Sequence, residues 1–472
     1  MTRKTRRFIF YSFVFLFIIT GTGIVFYSQG WRPVFQNNKI EFKKTGAVFI
    51  ETIPKGVLIK IGNEIFKDKS GLIQNGTLID NLLPENYKVE IKKDGYISWE
   101  KNILVGSGLV SEISKAILIP KNLEKKSIPL PKSIDNFWIN SDGKVVFENN
   151  ANLWAEAHNS SAVKLRGDKF ITWSDDNNKI ITYDSKTQTY YLYEINNLSQ
   201  TFNITAALNN LQKIAIKEIT FHPLDSNRLI IQDKNNLLYI LDINRLTLEN
   251  IVKDPILAWT IKSPNIYYIK QIEDLKLKTK SYLLASFNLV LKTENFNFEL
   301  PDALINQNFL AISASANKIA FLTDSGGLYL FNQQNQDFKQ IAHSAENFAI
   351  SPDSKKIAFW DRDGKLNIYF IEDYQSGISK KAGDVINFNF YLKADGAIIK
   401  DISWYKDSSH LLIDYLDTDR SEKVNFIEID DRLPINKYTL IEDVSNFYYE
   451  QSSNRLYFIQ ENNLYFETLD AS

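Results

Sequence analysis

Four histidines are the residues of this chain best suited to hold a metal or move a proton. They are His158, His222, His343 and His410, and each stands alone next to a predicted turn. No two of them have the His-x-x-x-His or Glu-x-x-His spacing that places two ligands on one face of an element. The spacing therefore predicts surface turn residues, with no metal centre and no cofactor.

Carboxylates offer a second kind of chemistry. Asp361-Arg362-Asp363-Gly364 places two of them beside a glycine, but a calcium loop of the EF-hand type needs further oxygen ligands and a closing glutamate. The segment is better explained as a hairpin turn. Other Asp and Glu residues could pair as the acid and nucleophile of a glycosidase, and no spacing identifies such a pair.

Nucleophilic chemistry is not indicated. The chain has no cysteine, and it contains no Gly-x-Ser-x-Gly elbow of the α/β-hydrolase type. The net charge is −1, from 55 basic and 56 acidic residues, so no overall field favours nucleic acid. We therefore predict a protein that is not an enzyme, with no catalytic residue, no nucleic-acid partner and unknown ligand-binding residues.

The N-terminus predicts a membrane anchor. A basic tail, residues 1–7, precedes an uncharged apolar segment, residues 8–27, whose twenty residues match a hydrocarbon core of about 30 Å. The basic flank should stay cytoplasmic, so a juxtamembrane linker, residues 28–45, and everything after it should be periplasmic or at the cell surface. A cleaved signal peptide is the alternative, but the apolar run continues past the small residues Gly21 to Gly23.

The rest of the chain is predicted to be all-β, because short runs of Val, Ile, Phe and Tyr alternate with Asn, Asp, Ser and Gly clusters. In the first unit, residues 46–119, strands at 47–52 and 57–62 flank a Pro54-Lys55-Gly56 corner. Proline cannot donate to a strand ladder and glycine tolerates a positive φ. A later strand should place Tyr87, Val89 and Ile91 on one face.

This first unit resembles the PEGA domain, a small β-sandwich of extracytoplasmic proteins. The resemblance rests on the Pro54–Val57 corner, the Leu83-Pro84-x-x-Tyr87 turn and Lys93-x-Gly95-Tyr96. Lys55 and Val57 replace the family's Glu and Ala, and Glu85 replaces a glycine, although Asn86 can take a left-handed conformation that keeps the turn tight. The resemblance implies a spacer or contact module without a catalytic centre.

A Pro- and Lys-rich linker, residues 120–132, leads to repeats over residues 133–472. The second strand of each repeat is predicted at Val145, Ile180, Leu229, Ile266, Ile319, Ile357, Leu411 and Leu456. Their spacing is near the 40 to 50 residues of a propeller blade. We expect eight blades, or seven if the unit at 256–298 is irregular. Because the last unit has three clear strands, residues 127–130 could supply its outer strand and close the ring.

The pattern Ser351-Pro352-Asp353-x-Lys355-x-Ile357-Ala358-Phe359 resembles the WD40-like repeat of TolB-type propellers. This resemblance implies a periplasmic propeller that binds protein or peptide. Aromatic residues such as Tyr190, Tyr191, Tyr193, Tyr448 and Tyr449 could line a groove, but strand cores are the favoured location for them and for Trp138, Trp173, Trp259, Trp360 and Trp404.

Two functions remain open. The first is a non-enzymatic envelope protein, anchored by the membrane helix, whose propeller binds a protein, a peptide or a surface polymer. The second is a propeller enzyme that acts on an envelope glycan with carboxylates at the channel mouth. Two or three acidic residues within about 5 to 10 Å at that mouth would favour the enzyme. A neutral or aromatic rim would favour binding.

Overall fold

The N-terminal segment is one long helix followed by a hairpin. A computed structural model describes residues 3–36, 39–71, 74–156, 161–274, 279–391 and 393–469. Among these, α1 (Arg3–Ser28) is the one helix that is long and apolar enough to cross a membrane, and none of its residues is buried. The segment expected to be a linker, residues 28–45, contains the antiparallel pair β1 (Trp31–Gln36) and β2 (Lys39–Lys44).

Two sheets then pack face to face. Their strands are β3 (Gly46–Ile53), β4 (Leu58–Ile61), β5 (Glu64–Lys67), β6 (Thr77–Leu82), β7 (Asn86–Lys92), β8 (Trp99–Leu104) and β9 (Val110–Ile117). The sheet orders are β6-β3-β9 and β5-β4-β7-β8. Val48, Ile50, Ile59 and Val89 belong to the shared core. We call this unit the sandwich.

The Pro54 to Gly56 corner joins the two sheets as the sequence predicts. Gly56 has φ +74 with no heavy atom close to a built Cβ, so conformation rather than space requires glycine there. Its N–H donates to Asp68 Oδ2 (2.7 Å). Asp68 also accepts hydrogen bonds from Ser70 N (2.9 Å) and Thr77 Oγ1 (2.7 Å). The Asp68 carboxylate therefore holds the corner to the next two segments.

The predicted face of β7 is confirmed, whereas its turn differs from expectation. Val89 and Ile91 are buried and Tyr87 is half-buried on the core side. Asn86 does not have a positive φ, because it is already paired with Leu104 as the first residue of β7.

A larger region of four-stranded antiparallel sheets begins with the strand β10 (Lys126–Ile128), which belongs to the last sheet of the region. Sheet 1 contains β11 (Asn136–Ile139), β12 (Val145–Asn149), β13 (Asn152–Glu156) and β14 (Ala162–Lys164). Sheet 2 contains β15 (Lys169–Trp173), β16 (Lys179–Asp184), β17 (Thr189–Glu194) and β18 (Asn197–Asn203), and α2 (Ile204–Leu211) follows. Sheet 3 contains β19 (Ile216–His222), β20 (Asp225–Asp233), β21 (Leu238–Asp242) and β22 (Thr247–Val252). Sheet 4 contains β23 (Ile256–Lys262), β24 (Asn265–Asp274), β25 (Thr279–Asn288) and β26 (Thr293–Glu299).

The same plan continues to the C-terminus. Sheet 5 contains β27 (Phe309–Ser315), β28 (Lys318–Thr323), β29 (Leu328–Asn332) and β30 (Asp337–Ala342). Sheet 6 contains β31 (Ala345–Ile350), β32 (Lys356–Asp361), β33 (Leu366–Phe370) and β34 (Val385–Phe388). Sheet 7 contains β35 (Ile398–Trp404), β36 (His410–Leu416), β37 (Glu422–Glu428) and β38 (Lys437–Glu442). Sheet 8 contains β39 (Ser445–Glu450), β40 (Arg455–Gln460) and β41 (Asn463–Thr468), with β10 as its fourth strand.

All eight predicted second strands lie in the second strand of a sheet, and the unit at 256–298 is a regular four-stranded sheet. The expected closure is also confirmed, because Ser127 pairs with Tyr465 between β10 and β41. Each sheet shares an apolar cluster with the next, and sheet 8 shares one with sheet 1. These clusters arrange the sheets in a closed ring, a β-propeller fold.

The sandwich is held against sheet 7 by a buried ion pair. Lys101 of β8 is fully buried, and its ammonium pairs with Glu428 at the end of β37. Lys101 Nζ also donates to the carbonyl of Arg432 (2.9 Å). Glu428 in turn accepts hydrogen bonds from Trp99 Nε1 (3.1 Å) and Asn436 N (2.7 Å). Because every polar atom of the pair has partners, the charges are tolerated away from water.

A second group of contacts lies beside this pair. Lys115 Nζ donates to the carbonyl of Asp407 (2.7 Å), in the turn between β35 and β36. Ile117 and Ile119 join the apolar cluster between sheets 7 and 8. Polar and apolar contacts together make the sandwich and the ring one packed unit.

The pKa of Asp68 makes it possible to test whether its carboxylate stabilises the Pro54 to Gly56 corner. Burial raises this pKa, but hydrogen bonds from Ser70, Thr77 and Gly56 outweigh burial and lower it to about 2 from 3.8. The carboxylate should therefore stabilise the fold fully above pH 3.8, and this contribution should disappear as the pH falls towards 2. Asp68→Asn should lower the free energy of unfolding by about 1–2 kcal/mol at pH 6. Its unfolding midpoint should also decrease less than that of wild type as the pH falls towards 2. Asp94→Asn, at an exposed position, is the control. If the unfolding midpoints of Asp68→Asn and wild type decrease equally at acid pH, the Asp68 carboxylate does not stabilise the corner.

Removal of Lys101 should leave the buried carboxylate of Glu428 without a counter-charge. Lys101→Met should lower the free energy of unfolding by about 3–5 kcal/mol, measured by urea titration and tryptophan fluorescence, because Glu428 loses its counter-charge. Adding Glu428→Gln should recover part of the loss, since the amide keeps partners but carries no charge.

The matched control for this experiment is Lys88→Met. Lys88 pairs with Glu100 at 2.7 Å on the same sheet of the sandwich, but its side chain is 59% exposed. Its removal should cost less than about 1 kcal/mol. Equal losses for Lys101→Met and Lys88→Met would show that the buried pair does not hold the two units together.

Candidate binding face

Among the described residues, the hydrogen bonds between the sandwich and the ring lie mainly at turns on one face of the ring. The partners of the sandwich lie between β35 and β36 (Asp407), between β37 and β38 (Arg432, Leu433), and between β33 and β34 (Ser376). These turns join first to second strands and third to fourth strands, so they share one face of the ring. The opposite face carries the turns between second and third strands and the connections between sheets. We call it the open face.

The first strand of each sheet begins on the open face and lies innermost, where first strands of neighbouring sheets approach one another. In sheets 2 to 8 this strand carries a bulge close to its start. The bulged positions are Ile171, Lys217, Leu257, Leu310, Glu346, Lys400 and Asn446. Bulges break the ladder and re-aim side chains. The mouth of the ring is therefore surrounded by a mixture of aliphatic, basic, acidic and amide residues.

One pair of carboxylates lies together in sheet 7. Asp401 and Asp414 are directly opposite each other in the register of β35 and β36, a position that places Cβ atoms about 5 Å apart. Asp401 is partly exposed to solvent, whereas Asp414 is buried and its Oδ1 has no hydrogen-bond partner among the described residues. Sequence spacing could not identify this pair, because it depends on strand register.

Burial also perturbs the acidity of both groups. It raises the pKa of Asp414 to about 7; the charges of Glu422 and Asp401 act in the same direction, and Lys400 opposes them. Surrounding protein likewise raises the pKa of Asp401. Two carboxylates with raised pKa values are a feature of acid–base sites, but a substrate atom cannot reach the closed Oδ1 of Asp414 in this conformation.

Two histidines do not occupy the surface positions that were expected. His222 is buried, and its Nδ1 accepts a hydrogen bond from Leu224 N (3.2 Å), while burial and the charge of Arg228 lower its pKa. His410 is also buried, 2.7 Å from Asp407 Oδ2 and stacked on Phe426. The aromatic rings of Phe426 and Tyr405 surround the His410 ring and account for its burial.

One of the other two histidines lies at the protein surface. His343 is exposed in the turn after β30, as the sequence predicts, and His158 lies outside the described residues. Within the described ranges, no three His, Cys, Asp or Glu side chains are arranged to hold a metal ion. The Asp361 to Gly364 segment forms the predicted turn, in which Asp361 Oδ1 accepts from Asp363 N and Lys365 N (both 3.0 Å).

Most of the aromatic residues named from the sequence lie in the core. Tyr191, Tyr193, Tyr449, Trp360 and Trp404 are buried, and Trp138, Trp173 and Trp259 are half-buried. Tyr448 is 45% exposed on β39. Tyr190 is half-buried and lines a cleft on the open face together with Tyr183. The rim is thus mixed in character, with one aromatic cleft at its periphery.

The raised pKa of Asp414 predicts a pH-dependent stability. A carboxyl whose pKa is 3.8 unfolded and about 7 folded binds its proton more tightly in the fold, so stability should decrease as the pH rises from about 4 to 7. Asp414→Asn removes the charge and should reduce the loss of stability between pH 5 and pH 8 by up to a few kcal/mol. Urea midpoints at the two pH values measure the difference.

The exposed Asp395→Asn is the control and should leave the pH dependence of wild type unchanged. If Asp414→Asn shows that same dependence, Asp414 is ionised in the fold at neutral pH and the pair with Asp401 is not coupled.

Comparison with known proteins finds distant similarity to solved structures. No family model matches the chain, and no curated protein matches it. Solved structures that are similar include the Dos1 propeller (TM-score 0.47, 12% identity, 74% of this chain and 95% of that one). Others are Kluyveromyces lactis Hsv2p (0.42, 11%, 66% and 98%) and an oligogalacturonate lyase in complex with manganese (0.42, 12%, 74% and 98%). Likeness at this level carries no argument about activity or partner.

Proposed function

We propose that this chain is a non-enzymatic, membrane-anchored protein of the cell envelope that binds a protein, a peptide or a surface polymer through a propeller. In this proposal residues 1–7 are cytoplasmic, 8–27 span the membrane, 46–119 form a PEGA-type domain, and 133–472 form an eight-bladed propeller of TolB-like type. The sandwich acts as the support of the propeller, and the ring presents the binding surface outside the cytoplasm.

The observation that carries the proposal is the position of the buried Lys101–Glu428 pair. This pair and the Lys115 contact fix the sandwich to the turns on one face of the ring. The sandwich is joined to α1 through β1 and β2, and Thr45 N donates to the Gly30 carbonyl (2.8 Å) at that junction. A packed support on one face leaves the other face available to a partner.

The chemistry of the open face supports binding. Leu310 is 63% exposed at the mouth, and Lys217, Glu346 and Lys400 lie at equivalent positions in other sheets. An exposed apolar side chain surrounded by polar residues matches the apolar core and polar rim of a protein interface.

The alternative is a glycan-cleaving enzyme, and the Asp401–Asp414 pair is the observation that favours it. Such an enzyme needs both carboxyl groups to reach one substrate. The burial of Asp414 argues against that requirement, so binding is the better supported function.

Photo-crosslinking tests the proposal. A benzophenone amino acid in place of Leu310, on the open face, should give covalent adducts in intact cells. The matched control is the same replacement of Leu433, which is 66% exposed on the face that the sandwich contacts. It should give few adducts. Adducts at Leu433 without adducts at Leu310 would place the partner on the wrong face and overturn the proposal.

A further inference from the structure

A cleft of about 390 Å³ opens on the open face between sheets 2 and 3. Its walls come from the turn after β16, the start of β17, the helix α2, the connection to β19 and the turn after β20. This volume lies within the range of small-molecule sites. The cleft is separate from the mouth of the ring, since it lies over the junction of two sheets.

The helix α2 makes the cleft rigid. Ile204 and Leu208 are fully buried in the apolar cluster between sheets 2 and 3. Asn203 caps the helix by accepting from Ala206 N (2.8 Å), and Thr205 Oγ1 accepts from Tyr190 N (2.9 Å). The helix is therefore fixed at its start and along its buried side. A preformed wall reduces the ordering cost of binding.

Two tyrosine rings form one side of the cleft. Tyr183 and Tyr190 have ring centroids 4.5 Å apart, with an angle of 41° between the planes. Both are half-buried, so each ring keeps part of its surface open to a ligand. Aromatic surfaces of this kind supply contact area at little conformational cost.

The charge of the cleft has one sign. Lys213 and Lys234 both line it and both are exposed, and no carboxylate is among its lining residues. Within the described chain neither ammonium makes an ion pair, although the backbone of Lys234 is held by a hydrogen bond from its N–H to the Ala215 carbonyl (2.9 Å). Two free ammonium groups beside aromatic rings favour an anionic ligand.

We propose that this cleft binds an anionic sugar unit, a pyranose ring that carries a carboxylate or a phosphate, as part of a polymer. The tyrosine rings suit the C–H face of the sugar, the two lysines suit its anionic group, and the Gln188, Asn209 and Thr205 side chains suit its hydroxyls. An acidic peptide is less well matched, because the cleft has no closed apolar pocket for an anchoring side chain. This inference rests on the proposed binding function and names its ligand class.

The test uses the full chain in lipid nanodiscs and calorimetric titration with matched sugars. Tetra-β-1,4-mannuronate should bind, whereas β-1,4-mannotetraose, which has the same backbone without carboxylates, should bind at least about tenfold more weakly. Mannose 6-phosphate and inorganic phosphate complete the set. Binding of the mannuronate should weaken as salt increases, because the lysines are exposed.

Lys213→Gln/Lys234→Gln should reduce mannuronate affinity about tenfold. Lys164→Gln/Lys262→Gln removes the same charge from exposed positions outside the cleft and should leave affinity unchanged. Asn209→Ala, at an exposed helix position, should weaken both mannuronate and mannotetraose, because it removes a contact to hydroxyls.

The outcomes separate this inference from the proposed function. Preference for mannose 6-phosphate over mannuronate would support the anionic sugar with phosphate as the source of the charge. Equal binding of mannotetraose, equal binding of inorganic phosphate, or no binding of either charged sugar would overturn the inference. Adducts at Leu310 in the crosslinking experiment would then still support a binding function through another part of the open face.

Discussion

The buried pair of Lys101 and Glu428 is the interaction on which the arrangement of this molecule depends. A charge taken from water costs several kcal/mol unless its partner and hydrogen bonds replace the lost hydration. Here the ammonium has a carboxylate and two backbone carbonyls, and the carboxylate has Trp99 and Asn436. The geometry is demanding, so the sandwich has one favourable position on the ring. An apolar contact alone would allow sliding.

Closure of the ring is the second constraint. A four-stranded sheet of this kind has apolar residues on both faces and cannot bury them alone, so each sheet must lie between two neighbours. The chain meets this condition at its ends by pairing β10 with β41. The strand that closes the ring directly follows the sandwich, and so the support and the closure are made by one continuous segment. Loss of either contact should therefore weaken the other.

Much of this fold could be predicted because it follows from local patterns. Alternation of Tyr87, Val89 and Ile91, the Pro54 corner and the repeated second strands each depend on a few neighbouring residues. The open face and its cleft could not be predicted in the same way. Asp401 meets Asp414 only through strand register, and Lys213 meets Lys234 only through the pairing of β19 with β20, in which Ile216 lies opposite Asp233. His222 and His410 were expected at the surface because each lies next to a turn. Both are buried, because a position next to a turn does not indicate which residues of the fold pack around the side chain.

The location of the cleft follows from the way in which the sandwich is attached. On one face of the ring, Asp407, Glu428 and Arg432 contact the sandwich. Lys101 pairs with Glu428 and donates to the Arg432 carbonyl, and Lys115 donates to the Asp407 carbonyl. Lys213 and Lys234 lie on the other face, where no described segment of the sandwich supplies a carboxylate to pair with them. Unpaired ammonium groups that stay hydrated cost little free energy until a ligand arrives, and a ligand with an anionic group then gains the interaction. The same attachment that satisfies the buried lysines therefore leaves the exposed ones available, and this division of charge between two faces is the physical basis on which we propose the open face as the binding surface.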